Sequence, residues 1–344
     1  MTKKVKIGNI EIGGGNPIAV QSMTNTVTSD FDATFLQLKN LKEAGCDIAR
    51  LAVNNLDDVE VSKRLIKAID MPLVADIQFD YKLAVASADA GYAKIRFNPG
   101  NIGSEKNVAE VVSACKNNNV PIRIGVNSGS LEKEISQKYG YGADAMVKSV
   151  QRHVAILEKF GFYDIVLSAK SSNVKTTVDV YRKLHEMGYP LHVGVTESGY
   201  STMGMIKSAI GIGSLLVDGI GDTIRVSLTG DPTQEIKVAH DILKGLGIKE
   251  DYCEIISCPT CSRCKYDLES IVKELTEYTK NVRKKIKIAA MGCVVNGPGE
   301  ARDADFGFAG GGNGNAVIFE KGCVVKKIST DEILSEIKRR IDNF

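Results

Sequence analysis

Three cysteines, Cys258, Cys261 and Cys264, repeat at gaps of two residues. A fourth, Cys293, follows after a helical stretch and precedes the turn Asn296-Gly297-Pro298-Gly299 and the carboxylate Glu300. Clustered thiols of this kind bind soft or borderline metals, so the chemistry is that of a zinc ion or an iron–sulfur cluster. A structural zinc ribbon normally brings a second Cys-x-x-Cys pair. Here Cys293 stands alone and Cys323 is distant, which disfavours zinc. A cluster accepts three cysteines plus one different ligand, and the three-cysteine run would also suit a cluster held by thiolates alone. Glu300 bears on that choice, because the glycine and proline turn can reverse it onto the same centre. A carboxylate would be a harder, more labile ligand than a thiolate, able to leave and open a Lewis-acidic iron.

A second set of chemical residues is basic. In short β-rich runs side chains alternate faces, so Ile122, Ile124 and Val126 point one way while Arg123, Gly125 and Asn127 point the other. The same parity puts Arg50, Lys94, Arg96, Lys170, His192 and Arg225 on the inner face, with Asp76 and Gln78. Unpaired buried guanidinium groups are prohibitive, and arginine forks match phosphate oxygens, so the set points to a diphosphate or two phosphates. The plainer alternative pairs each arginine with a neighbouring carboxylate such as Asp47, Asp76, Glu197 or Asp222. It weakens for the whole set, because inward acids are fewer than bases. Lys207, just past the seventh run, could join the ring. Of the four histidines only His192 faces inward; His153, His185 and His240 lie in helical patterns and read as packing or surface residues.

The elements that must position these residues alternate. Strand candidates span 18–24, 47–53, 73–79, 94–99, 121–127, 163–170, 191–197 and 223–229, with helical patterns between them at 33–44, 108–116, 143–160 and 235–246. Eight units in about 230 residues favour a closed parallel (β/α)8 TIM barrel over a doubly wound open sheet. In such a barrel the active site lies at the C-terminal ends of the strands. The leading segment 5–15 reads as a hairpin plugging the barrel floor. The expected organisation is a substrate-binding barrel over 1–248 followed by a small α/β iron–sulfur domain over 249–344. In the second domain, helices are expected at 266–284 and 330–341 and strands near 286–291 and 317–319. The run Gly310-Gly311-Gly312-Asn313-Gly314-Asn315 lacks the Lys-Ser/Thr ending of a phosphate loop and reads as a flexible turn.

Composition sets the outer bounds. The 344 residues carry 44 basic and 42 acidic side chains, a formal charge of +2, which gives no argument for nucleic acid or a membrane surface. No apolar run reaches membrane-spanning length and no signal-peptide core opens the chain, so a cytoplasmic protein with reduced cysteines is expected.

Four strings together make the chain recognisable: 17–26 (PIAVQSMTNT), 96–103 (RFNPGNIG), 121–127 (PIRIGVN) and 292–300 (GCVVNGPGE). They resemble the 4-hydroxy-3-methylbut-2-enyl diphosphate synthase family of the non-mevalonate isoprenoid pathway, and the resemblance covers essentially the whole chain. It implies two-electron reductive ring opening of 2-C-methyl-D-erythritol 2,4-cyclodiphosphate to the linear allylic diphosphate through a [4Fe-4S] cluster, with flavodoxin or ferredoxin as donor. By matching motif, the cluster ligands are Cys258, Cys261, Cys293 and Glu300, Glu300 also acting in catalysis. Arg50, Arg96, Arg123, Asn127 and Lys207 correspond to substrate-binding positions. Glu235 is a candidate catalytic acid, although a glutamate at a helix start is also favoured by the helix dipole. Asp76 is a weaker candidate for the same task. The family commonly has no cysteine at position 264, so Cys264 is expected to be a bystander. The shorter bacterial form implies a head-to-tail homodimer, each active site shared between one barrel and the partner's cluster domain. The competing readings are a barrel lyase or aldolase for a phosphorylated substrate with a structural zinc domain, and an electron carrier fused to a phosphate-binding module.

Overall fold

The alternation of β-rich and amphipathic runs becomes a ring of parallel strands wrapped by helices in a computed structural model that describes residues 1–295, 299 and 301–344. The chain forms two units, Met1–Leu246 and Gly247–Phe344. In the first, the hairpin β1 (Val5–Ile7) and β2 (Ile10–Ile12) precedes β3 (Ala19–Met23), β4 (Ile48–Ala52), β5 (Leu73–Asp76), β6 (Lys94–Arg96), β7 (Ile122–Asn127), β8 (Ile165–Lys170), β9 (His192–Val193) and β10 (Thr223–Ile224). Hydrogen bonding runs β8-β7-β6-β5-β4-β3-β10-β9. A parallel bridge between Leu167 and Leu191 joins β8 to the residue before β9, which closes the barrel.

The helices between the strands are α1 (Phe31–Glu43), α2 (Leu56–Ala68), α3 (Tyr81–Asp89), α4 (Glu105–Asn117), α5 (Lys133–Tyr139), α6 (Ala143–Lys159), α7 (Val174–His185), α8 (Ser201–Val217) and α9 (Pro232–Gly245). Several begin where a short polar side chain takes an otherwise orphaned backbone N–H: Asp30 accepts from Ala33, Asn55 from Asp58 and Asn173 from Thr176. Strand parity holds as expected. Ile95, Phe97, Ile122, Ile124 and Val126 face outward into the core shared with the helices. The inner face starts apolar: Val5, Ile7 and Ile12 of the hairpin pack on Ala19, Ile48, Val74 and Val166, sealing the barrel floor.

The third, fourth, seventh and eighth barrel strands are shorter than expected. At Gly194 a Cβ would lie 2.3 Å from the Arg225 carbonyl oxygen. The Arg225 N–H still donates to the Val193 carbonyl at 3.0 Å, and the residues that follow each strand are irregular.

The second unit contains β11 (Cys253–Ser257), α10 (Leu268–Thr279), β12 (Ile286–Met291), β13 (Phe306–Gly312), β14 (Asn315–Glu320), β15 (Cys323–Ser329) and α11 (Ile333–Asn343). Its strands stand in sequence order, β11 to β13 parallel and β13 to β15 antiparallel. Leu268 and Leu275 of α10 and Ile333, Ile337 and Ile341 of α11 cover one sheet face through Ile286, Ile288, Phe308 and Ile318. The glycine run is not a flexible turn. Gly310 to Gly312 finish β13, and only Asn313 and Gly314, both at positive φ, turn the hairpin. Gly310 is there because a Cβ would sit 2.6 Å from the Tyr266 ring and 2.9 Å from the Gly292 carbonyl. Among the described residues no helix is long and apolar enough to cross a membrane. Gly310→Ala should destabilise this unit by about 1–3 kcal/mol, the usual cost of overpacking, as read by urea denaturation.

Candidate active site

At the C-terminal ends of β4 to β7 the barrel opens into a cavity of about 580 Å³, lined among others by Arg50, Gln78, Arg96, Asn98 and Asn127. Asp76, at the end of β5, is shared between two arginines. One carboxylate oxygen accepts from Arg50 and the other from Arg96 Nη1 at 3.0 Å. Arg96 Nη2 also donates to the Gly125 carbonyl at 2.6 Å. A Cβ on Gly125 would lie 2.5 Å from Arg96 Nε, so this glycine makes room for the guanidinium. Burial pushes the Asp76 carboxyl up, but Arg50 and Arg96 outweigh it and the net shift is downward. Asp76 is therefore an ionised counterion, and the alternative role of proton donor finds no support in this geometry.

Below this pair the interior stays cationic. Arg123 is 2% exposed, and its Nε and Nη2 have no hydrogen-bond partner among the described residues. Burial, then Arg50 and Arg96, penalises its charge. A guanidinium keeps its proton even so, and Asp76 offsets only part of the penalty. Lys94 is fully buried and, among the described hydrogen bonds, its ammonium reaches only Gln21 Oε1 at 3.3 Å. Lys170, level with Asn127 across the β7–β8 ladder, lies 3.2 Å from His192 Nε2. Burial, with Arg123 as the next cause, pushes both lysines well below their usual range, and burial and Lys170 hold His192 neutral. Unlike arginines, these groups can relieve their burial by losing charge.

Arg225, one residue past β10, pairs with Glu235 of α9. Glu235 is buried and accepts from Ser22 Oγ, Arg225 and the Leu228 backbone N–H. It is absent from the cavity lining. Lys207 is half-buried on α8 and also outside that lining. Of the expected substrate positions, Arg50, Arg96 and Asn127 thus line one cavity, Arg123 is buried in the barrel interior outside that lining, and Lys207 and Glu235 lie outside it as well.

Loop residues that sequence reasoning did not single out complete the cavity: Phe79, Asn101, Ser130, Leu131, Glu132 and Lys133. No periodicity marks them. His153, expected as a packing or surface residue, is buried and ties two of these loops together. Its Nδ1 accepts the Gly100 N–H at 3.2 Å, and Nε2 lies 3.1 Å from Glu132 Oε1. Burial raises the Glu132 carboxyl, but bonds from His153 and Ser149 bring it down to about 2.

In the second unit the cysteines follow the ends of two adjacent parallel strands. Cys258 comes directly after β11 and Cys293 two residues after β12. The Gly292 N–H points at Cys258 Sγ, 3.1 Å away, as suits a thiolate. At Cys261 the backbone N–H of Arg263 is the largest cause lowering the pKa. The Cys264 thiol donates to the Tyr266 carbonyl at 3.3 Å and lies close to Gly292 beside Cys258. Cys258, Cys264 and Cys293 all bear on the Tyr266 hydroxyl, which burial first and then these three thiols raise in pKa. Asn296, Gly297, Pro298 and Glu300 lie outside the described residues. Among the described residues no three His, Cys, Asp or Glu groups converge on one point. A cluster presents a separate iron to each ligand and needs no such convergence, and soft sulfur donors with an N–H aimed at one of them are the donor set it takes.

Fold and site together define a parallel barrel with a cationic interior, followed by an α/β unit that carries clustered cysteines. The barrel matches the GcpE TIM-barrel domain over residues 2–240, the second unit matches the GcpE protein C-terminal domain over 254–343, and the chain belongs to the GcpE family. It is 54% identical over 342 residues to the 4-hydroxy-3-methylbut-2-en-1-yl diphosphate synthase (flavodoxin) of Fusobacterium nucleatum, covering 99% of this chain and 96% of that one. The protein of the same name from Clostridium perfringens is 54% identical over 345 residues, covering 100% and 99% of the two chains. Among solved structures, the dihydropteroate synthase of Stenotrophomonas maltophilia aligns with a TM-score of 0.53 at 14% identity, covering 72% of this chain and 97% of that one. That likeness is one of fold alone.

Asp76→Asn should cost about 3–5 kcal/mol at neutral pH, the usual result of breaking a buried pair. The folded carboxyl titrates below its unfolded value, so its contribution is present above the unfolded pKa and lost as pH falls through the folded one. The stability gap between the two proteins should therefore close on acidification, as read by denaturant titration.

Proposed function

We propose that the chain catalyses the two-electron reductive ring opening of 2-C-methyl-D-erythritol 2,4-cyclodiphosphate to (E)-4-hydroxy-3-methylbut-2-enyl diphosphate. The observation that carries this reading is the cationic barrel interior, where Asp76 fixes Arg50 and Arg96 while the buried Arg123 Nε and Nη2 have no acceptor among the described residues. A substrate diphosphate supplies acceptors to Arg50, Arg96 and Arg123, and Asn127 at the cavity wall adds a neutral donor. Arg225 adds a fourth guanidinium beside the mouth, and Lys207 is proposed as a further phosphate contact that approaches on substrate binding. The Fusobacterium nucleatum and Clostridium perfringens relatives are diphosphate synthases, in keeping with this substrate class.

Cys258, Cys261, Cys293 and Glu300 are proposed to hold a [4Fe-4S] cluster, with Glu300 as its labile ligand. When bound, that group would supply single electrons and a Lewis-acidic iron. The barrel's own residues bind and orient the ring and exclude water from its phosphates. Flavodoxin, named in the relatives' descriptions, is the proposed donor, and the cytoplasm the proposed compartment. Cys264, whose thiol is engaged by the Tyr266 carbonyl, is proposed to be a bystander. We further propose a homodimer in which one subunit's barrel works with the partner's cysteine unit.

Anaerobically purified protein given reduced flavodoxin and the cyclodiphosphate should form the linear allylic diphosphate. A colourless, zinc-containing protein that forms none would return the lyase reading. Mixing Cys293→Ala subunits with Arg123→Ala subunits should restore part of the activity that each lacks alone. If all mixtures stay inactive while exchanging subunits, the shared-site arrangement is wrong.

A further inference from the structure

We propose that Glu235 is a positioning residue: it orients Arg225 toward the substrate phosphates and does not itself exchange a proton during turnover. This rests on the cyclodiphosphate reading above and revises the role that sequence reasoning suggested for Glu235.

Glu235 lies in the first turn of α9 and is 3% exposed. Its Oε2 accepts from Ser22 Oγ at 2.7 Å and from Arg225 Nε at 3.3 Å. Its Oε1 accepts from the Leu228 N–H at 3.0 Å and from Arg225 Nη2 at 3.4 Å. Both oxygens are thus filled by donors drawn from β3, from the residue after β10 and from the loop leading into α9. A proton on either oxygen would displace one of these donors and strand it in a buried setting. A carboxylate so committed is a good anchor.

Arg225 is the only charged group that this anchor holds among the described hydrogen bonds. The other buried acid of the mouth, Asp76, already serves Arg50 and Arg96. Contact through Nε and Nη2 fixes the plane of the Arg225 fork on one edge. The remaining nitrogen, Nη1, faces the Met23 sulfur at 3.6 Å, a weak acceptor that a phosphate oxygen would readily replace. Met23 closes β3 and pairs in register with Arg50, so this nitrogen lies toward the arginine ring. Ser22, on the opposite parity of the same strand, reaches back to hold the carboxylate. Neighbouring residues of β3 thus touch the two ends of one Glu235–Arg225 unit.

The test is a double-mutant cycle on the holoenzyme, reading cyclodiphosphate binding by calorimetry without reductant and steady-state kinetics with it. Glu235→Gln and Arg225→Gln should each raise Kd and KM about tenfold or more, the usual order for breaking a buried charge pair. Values of kcat should change little and the pH profile of kcat should keep its shape. In the Arg225→Gln background, Glu235→Gln should add less than about twofold, because its effect passes through an arginine already gone. Ser22→Ala, which loosens the carboxylate without altering charge, should weaken binding about two- to fivefold in wild type and not at all in Arg225→Gln. It decides the matter if Glu235→Gln fails to fold. Unchanged binding in Glu235→Gln, effects that multiply in the double variant, or a fall in kcat of about a hundredfold with a lost limb of the pH profile would overturn the proposal. Wild-type protein that neither binds nor converts the cyclodiphosphate would instead remove the reading beneath it.

Discussion

Charge inside the barrel outruns the acids available to balance it, and the rest of the structure is arranged around that shortage. Arg50, Lys94, Arg96, Arg123, Lys170 and Arg225 share an interior served by Asp76 and Glu235 alone among the described hydrogen bonds. The lysines can relieve their burial by shedding a proton, and burial does lower both. The arginines cannot. Such an interior is costly as it stands, and an anion with several oxygens would offset that cost.

The surrounding fold makes that cost bearable. The hairpin β1–β2 closes the floor with apolar side chains, so the polar layer opens only toward the C-terminal ends of the strands. Gly125 and Gly194 leave space for Arg96 and for the Arg225 backbone. Asp76 and Glu235 do not neutralise the ring but set the directions of its members. The second unit solves a different problem. Adjacent parallel strands β11 and β12 deliver Cys258 and Cys293 from neighbouring ends, and the Gly292 N–H is already turned toward one sulfur.

Strand parity made the barrel and its ring legible in the sequence. Arg96, Arg123 and Asn127 alternate with isoleucines and valines that occupy the outer core, a pattern of period two that survives without any tertiary information. The cysteine loop was legible because thiol spacing is a chemical constraint. What stayed hidden depended on contacts distant in the chain. Nothing local to Glu235 shows that Ser22, Arg225 and the Leu228 N–H fill its oxygens. His153 looks like any helix residue until Gly100 and Glu132 meet it. The glycine run looks flexible because a sequence does not reveal that Tyr266 and the Gly292 carbonyl occupy the space a side chain at position 310 would need.

The central claim, that Arg123 is held in reserve for a substrate phosphate, is most directly tested by titrating the cyclodiphosphate into wild-type and Arg123→Met protein without reductant. Wild type should bind saturably, and the variant should lose about a hundredfold or more in affinity while the ligand-free fold is no less stable, because an uncompensated buried charge has been removed. Equal affinity in the two proteins would contradict the account.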